Sequence, residues 1–394
     1  MIYLLVFILL LIPVVKYDWM AKTGGENTWF YFNLVVLILL AGLRYRVGGD
    51  TLMYMSVFDE CPTLDELKYF DFDTAQYNPL WYILNAISKS IYDDFFLFQL
   101  IHACIVNPIF FSFFRKYCPN YYFSAILLYY VGYFCYFNME VLRESLCICM
   151  LLVSTRFFFE KRWVLYYVMC VLALFLHYSA LVMFLFPLLF VFFKRPSWVY
   201  QLVLLVGIFV FTAIVNVPLL LLSILSVDEQ LMVLAEKYLE SERNLMGMLA
   251  LLLQYLPLFG MIFLHERYNI RQKIDFTPIV MGVVVIYAFS MNLTGLNRLV
   301  NYFIPFILVY TVNIVYYMIG NVKVKFTLGY TALAASLFLL CFNYYYYYAK
   351  DVSDAYPNTR FYTIFYPYSS VFSPEQDEQR ERFIENYRDV VIQF

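Results

Sequence analysis

The sequence predicts an all-α integral membrane protein of about 12 transmembrane helices, and three observations predict it. Hydrophobic residues make up 63% of the chain and aromatic residues 22%. Charged residues make up only 14%, against the roughly 25% ordinary in soluble domains. Apolar runs recur along the whole chain with basic links between alternate pairs. A compact water-soluble globule cannot hide that much apolar surface, because its surface-to-volume ratio leaves too much outside.

Crossing a bilayer takes about 20 mostly apolar residues. Candidate spans start near Met1, Trp29, Phe95, Asn120, Ser145, Val164, Ala180, Trp198, Leu245, Thr277, Leu299 and Phe326, those from Met1, Trp29 and Ala180 being short or merged. The apolar start lacks a basic leader and a small-residue cleavage site, so it reads as a retained first helix.

Sidedness follows from Lys and Arg in short links, which stay cytoplasmic. One set of links carries Lys16 and Lys22, Arg115 and Lys116, Arg156, Lys161 and Arg162, Lys194 and Arg195, Arg267, Arg271 and Lys273, and Lys323 and Lys325. The alternate short links hold only Arg143 and Arg298. Both termini are therefore expected outside. A polytopic domain over 1–345 then includes outer loops 44–94 and 217–243, and 346–394 is an outward tail. The first loop is acidic, with Asp50, Asp59, Glu60, Asp65, Glu66, Asp71, Asp73, Asp93 and Asp94.

Leu80, Leu84, Ile87 and Ile91 recur at helical spacing beside Trp81, which predicts an amphipathic helix at the interface. It serves either as simple anchor or as a substrate shelf. Tyr344 to Tyr348 sit where the last span ends and read as an aromatic belt. Beyond them, Ser373-Pro374-Glu375 predicts a helix start, with Phe383, Tyr387, Val391 and Phe394 on one face.

A formal net charge of −2 and no basic stripe exclude nucleic acid as a partner. Of the eight cysteines, most lie in apolar runs and none forms a CxxC pair, so neither a metal centre nor a disulfide framework is expected. Nor is there a P-loop, a dinucleotide fingerprint, an HExxH or a G-x-S-x-G elbow. No cofactor is expected, and energy for a reaction must come from the substrate.

Charges near hydrocarbon cost roughly 2.5 to 3.5 kcal/mol even on lenient scales, so those at outward helix ends need explaining. Four groups qualify. Arg44-Tyr45-Arg46-Val47-Gly48-Gly49-Asp50, with Tyr54 after it, sets two guanidinium groups beside a carboxylate across a flexible pair of glycines. Glu140, Arg143 and Glu144 share one helix face. Asn297, Arg298, Asn301 and Tyr302 surround a cation with no carboxylate near it in sequence. His177-Tyr178-Ser179 closes the sixth span, and the histidine is either a substrate contact or a satisfied structural residue.

Arg44 to Asp50 with Tyr54, Leu142-Arg143-Glu144-Ser145-Leu146, His177-Tyr178-Ser179-Ala180, Asn297-Arg298-Leu299 and Tyr366-Pro367-Tyr368 together resemble the EpsG family, among the Wzy-like exopolysaccharide and O-antigen polymerases. Glu144 departs from the polar amide of many related sequences. The resemblance implies a membrane glycosyltransferase similar in outline to the C-type enzymes. It would join repeat units of exopolysaccharide, capsule or O-antigen carried on undecaprenyl diphosphate, at the outer face of the bacterial cytoplasmic membrane.

Guanidinium forks match phosphate oxygens, which casts Arg44, Arg46, Arg143 and Arg298 as diphosphate contacts, with Tyr54, Asn297 and Tyr302 lining the site. Asp50 is the candidate base, Glu140 the reserve and His177 a further catalytic candidate. One base and one leaving group imply a single inverting displacement. The expected partners are lipid-linked glycans, membrane lipids and other assembly proteins. Two other classes stand behind this one. A lipid-linked glycan flippase would show repeated halves with midplane charges, whereas the charges here gather at outward ends. A membrane acyltransferase would need its histidine on the cytoplasmic side.

Overall fold

The computed structural model describes residues 1–73, 75–193, 197–214, 245–270, 274–290, 294–320, 334 and 360–384. Among these residues all regular structure is helical, apart from isolated bridges at Arg44, Ser370 and Ser373. The chain divides into two compact units, Met1–Leu185 with Tyr348–Arg388, and Phe186–Tyr347 with Asp389–Phe394.

In the first unit α1 (Ile2–Pro13) runs on as a π-helical stretch, Val14–Trp19. Then follow α2 (Glu26–Gly42), α3 (Thr51–Glu60), α4 (Pro79–Ile91), α5 (Phe95–Tyr117), α6 (Tyr122–Tyr129), α7 (Leu142–Phe159) and α8 (Trp163–Leu174). Two π-helical stretches, Tyr130–Phe134 and Tyr136–Glu140, join α6 to α7. A 3₁₀ turn at Tyr178–Leu181 leads into α9 (Val182–Phe192), which contains the boundary between the units. The second unit holds α10 (Trp198–Ile214), α11 (Leu245–Tyr268), α12 (Thr277–Ser290), a 3₁₀ helix at Thr294–Phe303 and α13 (Ile304–Gly320).

Ile2–Trp19, Phe95–Tyr117 and Arg298–Gly320 are long and apolar enough to cross a membrane. Glu26–Gly42, Tyr122–Phe134, Trp163–Leu174, Tyr178–Phe192 and Thr277–Tyr287 are apolar but shorter. The predicted starts from Met1 to Leu299 each fall on or within a turn of helix. The span from Phe326, the loop 217–243 and the run Tyr344 to Tyr348 lie outside the described residues.

The amphipathic helix appears as α4, and the predicted aliphatic stripe is not the face that packs on the protein. Trp81, Asn85 and Ser88 are buried, while Ile87 and Ile91 face outward. Trp81 packs edge-on against Phe98 of α5 at 4.9 Å, so the largest ring and not the aliphatic row docks the helix. In the tail the helix starts at 378 and not at Ser373. Asp377 caps it by accepting from the Arg380 N–H at 3.1 Å, and Ser373 pairs with Ser370 instead.

Helices α2 and α5 run antiparallel, since Gly42 meets Leu100, Phe30 packs edge-on against Phe111 and Arg115 donates to Asn27. A Cβ on Gly42 would lie 2.8 Å from the Leu100 Cα, which is why glycine occupies the crossing. Polar bonds add direction where hydrophobicity gives none. Asp18 accepts from the Ser124 N–H and hydroxyl at 2.6 and 2.8 Å, tying the first helix to α6. Asn107 of α5 donates to Asn138 at 2.8 Å, and Asn138 donates to the Tyr129 hydroxyl at 2.7 Å.

Gly42→Ala is expected to force these helices apart and destabilise by about 1 to 3 kcal/mol. Gly132→Ala, where nothing lies within 4 Å, serves as the neutral control in the same thermal melt in detergent.

Candidate functional site

The site grows from the turn after α2. Gly48 has φ +116°, and a Cβ there would sit 1.9 Å from the Met139 carbonyl oxygen, so only glycine lets the turn lie on the π-helical stretch that leads into α7. The Thr51 hydroxyl fastens the same contact, 2.8 Å from the Val47 carbonyl and 3.2 Å from that of Met139. Gly49 backs onto Glu140, whose carboxyl carbon lies 3.4 Å from an ideal Cβ position. Asp50 sits between Gly49 and Thr51 at the start of α3. The turn therefore lays Gly49, the residue before Asp50, on Glu140, joining segments some 90 positions apart in sequence.

Arg143 opens α7 one turn on. Its guanidinium carbon lies 3.8 Å above the Tyr77 ring, a stacking contact that fixes the plane of the fork. Its Nε is buried without a hydrogen-bond partner, and so is the Trp81 indole N–H. Tyr54, 2% exposed, packs on Trp81 at 5.1 Å and on Tyr77 at 6.3 Å. Burial, and then the Asp50 carboxylate, push the Tyr54 phenol well above its ordinary range, against the pull of Arg143. Asp50, Tyr54, Glu140 and Arg143 thus form one cluster, walled by Tyr77 and Trp81.

The other two arginines of the turn have other work. Arg44 is fully buried, its Nε donating to the Val47 carbonyl at 3.1 Å and its Nη1 to the Ala41 carbonyl. Burial lowers its pKa to about 10. A diphosphate contact needs an accessible fork, so Arg44 reads as an internal brace. Arg46 is paired at 2.5 Å with Glu381 of the tail, which raises its pKa further.

His177 caps the 3₁₀ turn. The Ser179 N–H donates to its Nδ1 at 3.1 Å, and the Ser179 hydroxyl lies 2.6 Å from the same atom. That network fits the tautomer with the proton on Nε2. Just before it, Leu174 and Phe175 accept from Asn78 Nδ2 and the Leu80 N–H at 2.9 and 3.0 Å, tying the His177 turn to the segment that carries Tyr77 and Trp81.

Arg298 lies in the second unit on the 3₁₀ helix, exposed, with half-buried Asn301 three residues on and Tyr302 fully buried. The side chain of Asn297 is outside the described residues. Three positions escaped the sequence reading. Arg380 and Glu381 gave no signal within a tail of mixed charge. His102 did, as an ionisable residue inside an apolar span. It is buried, with Nε2 3.1 Å from the Leu142 carbonyl and 2.9 Å from the Ser145 hydroxyl, bracing the first turn of α7.

Among the described residues no three His, Cys, Asp or Glu gather as metal ligands. The model of the EpsG family matches residues 27–370 of the chain. No curated protein and no solved structure gives a significant match.

Gly48→Ala is expected to cost about 3 kcal/mol or more, through left-handed strain and overlap with Met139. Gly49→Ala should cost far less, and a thermal melt of both variants reads the difference. Equal melting temperatures would mean that the turn does not rest on Met139.

Proposed function

The chain belongs to the EpsG family of Wzy-like polymerases, and from that premise we propose that this membrane protein is a glycosyltransferase joining lipid-diphosphate-linked oligosaccharide repeat units. The observation that carries the reading is Arg143, 3.8 Å over the Tyr77 ring with its Nε unpartnered, acting with Asp50 on the same Tyr54 phenol. Buried donors without acceptors are costly, and a phosphate oxygen is an acceptor matched to a guanidinium.

In the proposed reaction Asp50 takes the proton from an acceptor hydroxyl, with Glu140 in reserve. The hydroxyl oxygen bonds the anomeric carbon of the donor sugar as the bond from that carbon to the diphosphate oxygen breaks. The lipid diphosphate leaves with the electron pair, and Arg143 stabilises the growing charge. Within the second unit, Arg298 is a candidate anion contact by its own charge, with Asn297 and Tyr302 beside it in the chain. His177 supplies a neutral Nε2 donor. A single displacement of this kind inverts the anomeric centre. The partner lipid is an undecaprenyl diphosphate, the membrane the bacterial cytoplasmic one, and the site faces outward, as the basic short links support. The product serves exopolysaccharide, capsule or O-antigen synthesis.

Purified protein incubated with lipid-linked repeat units should give a ladder of longer products, which a flippase would not. Asp50→Asn and Arg143→Ala should each slow elongation by about 10²-fold, and Arg298→Ala should weaken it as well. Wild-type rates for Asp50→Asn and Arg143→Ala would remove this assignment. A periplasm-active reporter fused after Phe394 should be active, and a silent fusion would reverse the orientation.

A further inference from the structure

The tail segment 360–384 lies along the turn that carries Asp50, and its bonds alternate down that turn. The Val371 N–H donates to the Leu43 carbonyl, the Tyr45 N–H to the Ser369 carbonyl and the Gly48 N–H to the Ile364 carbonyl, each at 2.9 Å. The Tyr368 hydroxyl reaches back to the Leu40 carbonyl at 3.0 Å. Arg380, 1% exposed, donates from all three nitrogens of its fork to main chain and pairs with the Asp377 carboxylate at 3.8 Å. Nη1 donates to the Arg46 carbonyl at 3.1 Å, Nε to the Thr363 carbonyl at 3.2 Å and Nη2 to the Pro367 carbonyl. Its neighbour Glu381 holds the Arg46 side chain at 2.5 Å.

The turn needs such holding. Arg46 has φ +53°, a left-handed conformation that costs a residue with a Cβ of order 1 kcal/mol or more. Gly48 follows at +116°. Two left-handed residues within three positions make a turn that relaxes unless its surroundings over-determine it. The tail supplies a bond at 45, 46 and 48, and one more to the side chain of Arg46.

We propose that Arg380 and Glu381 are positioning residues of the polymerase site, acting from the C-terminal tail through Arg46 to hold Asp50 against Glu140 and Arg143. Arg46 is then the anchor of a strap and not a phosphate contact. The inference rests on the polymerase reading above, and it assigns a role to chain beyond residue 370, where the family match ends.

Charge exchange separates the two roles of Arg46. Full-length Arg46→Glu, Glu381→Arg and the double variant are compared with wild type for elongation of lipid-linked repeat units. Hydrogen exchange of the Tyr45 and Gly48 amides is measured in parallel. Each single reversal should lower the maximal rate about tenfold with little change in KM and should deprotect both amides. The double variant should recover to within about threefold of wild type and restore protection. Glu381→Gln, a gentler change, should fall between. Failure of the double variant to recover, or a raised KM that persists in it, would make Arg46 a substrate contact and overturn the strap. A wild-type rate for Glu381→Arg would do the same. If wild-type protein itself makes no ladder, the polymerase reading fails, and amide protection alone then decides the strap.

Discussion

A glycine without a Cβ, pressed on a carbonyl oxygen, organises the turn between α2 and α3 of the first unit. Because Gly48 lies on Met139, the turn after α2 runs directly over the entry to α7. Thr51 then finds two carbonyls, Gly49 finds the Glu140 side chain, and the amides of Tyr45 and Gly48 turn to the tail. Any side chain at position 48 would lift the turn and break these contacts together. The proximity of Asp50 to Glu140 and Arg143 is a consequence of that one close approach.

Beneath the turn, the helices are held in register by a few buried polar bonds. In lipid there is no hydrophobic force between apolar helices, so packing and interhelical hydrogen bonds decide which faces meet. Asp18 with Ser124, Asn107 with Asn138 and Tyr129, and His102 with Ser145 join α1, α5, α6 and α7. The last of these reaches the turn that bears Arg143. The bonding that gives the bundle its register therefore also aims the proposed catalytic cation.

Four arginines look alike in sequence, each near a helix end, yet surroundings give them separate fates. Arg44 is fully buried with Nε and Nη1 on backbone carbonyls and Nη2 unpartnered, Arg46 is paired with Glu381, Arg143 lies over Tyr77 with Nε unpartnered, and Arg298 is exposed on a 3₁₀ helix. Burial and partner, not residue type, distinguish these four side chains. A tail with mixed charge thereby becomes part of the site, since one of its carboxylates takes up the cation of the turn.

By itself the sequence determined the membrane class, the helical character and the places where charge is out of keeping with lipid. These follow from composition and from residue spacing, which are local and survive any arrangement of the helices. It also marked Gly48, Gly49 and Asp50 as a turn and Trp81 as part of an interface helix. Only the tertiary structure decided that Trp81 packs on α5, that Gly49 rests on Glu140, and that Arg380 and Glu381 reach Arg46. Those are contacts between distant segments, set by which surfaces can approach to van der Waals distance. No periodicity along the chain encodes that property.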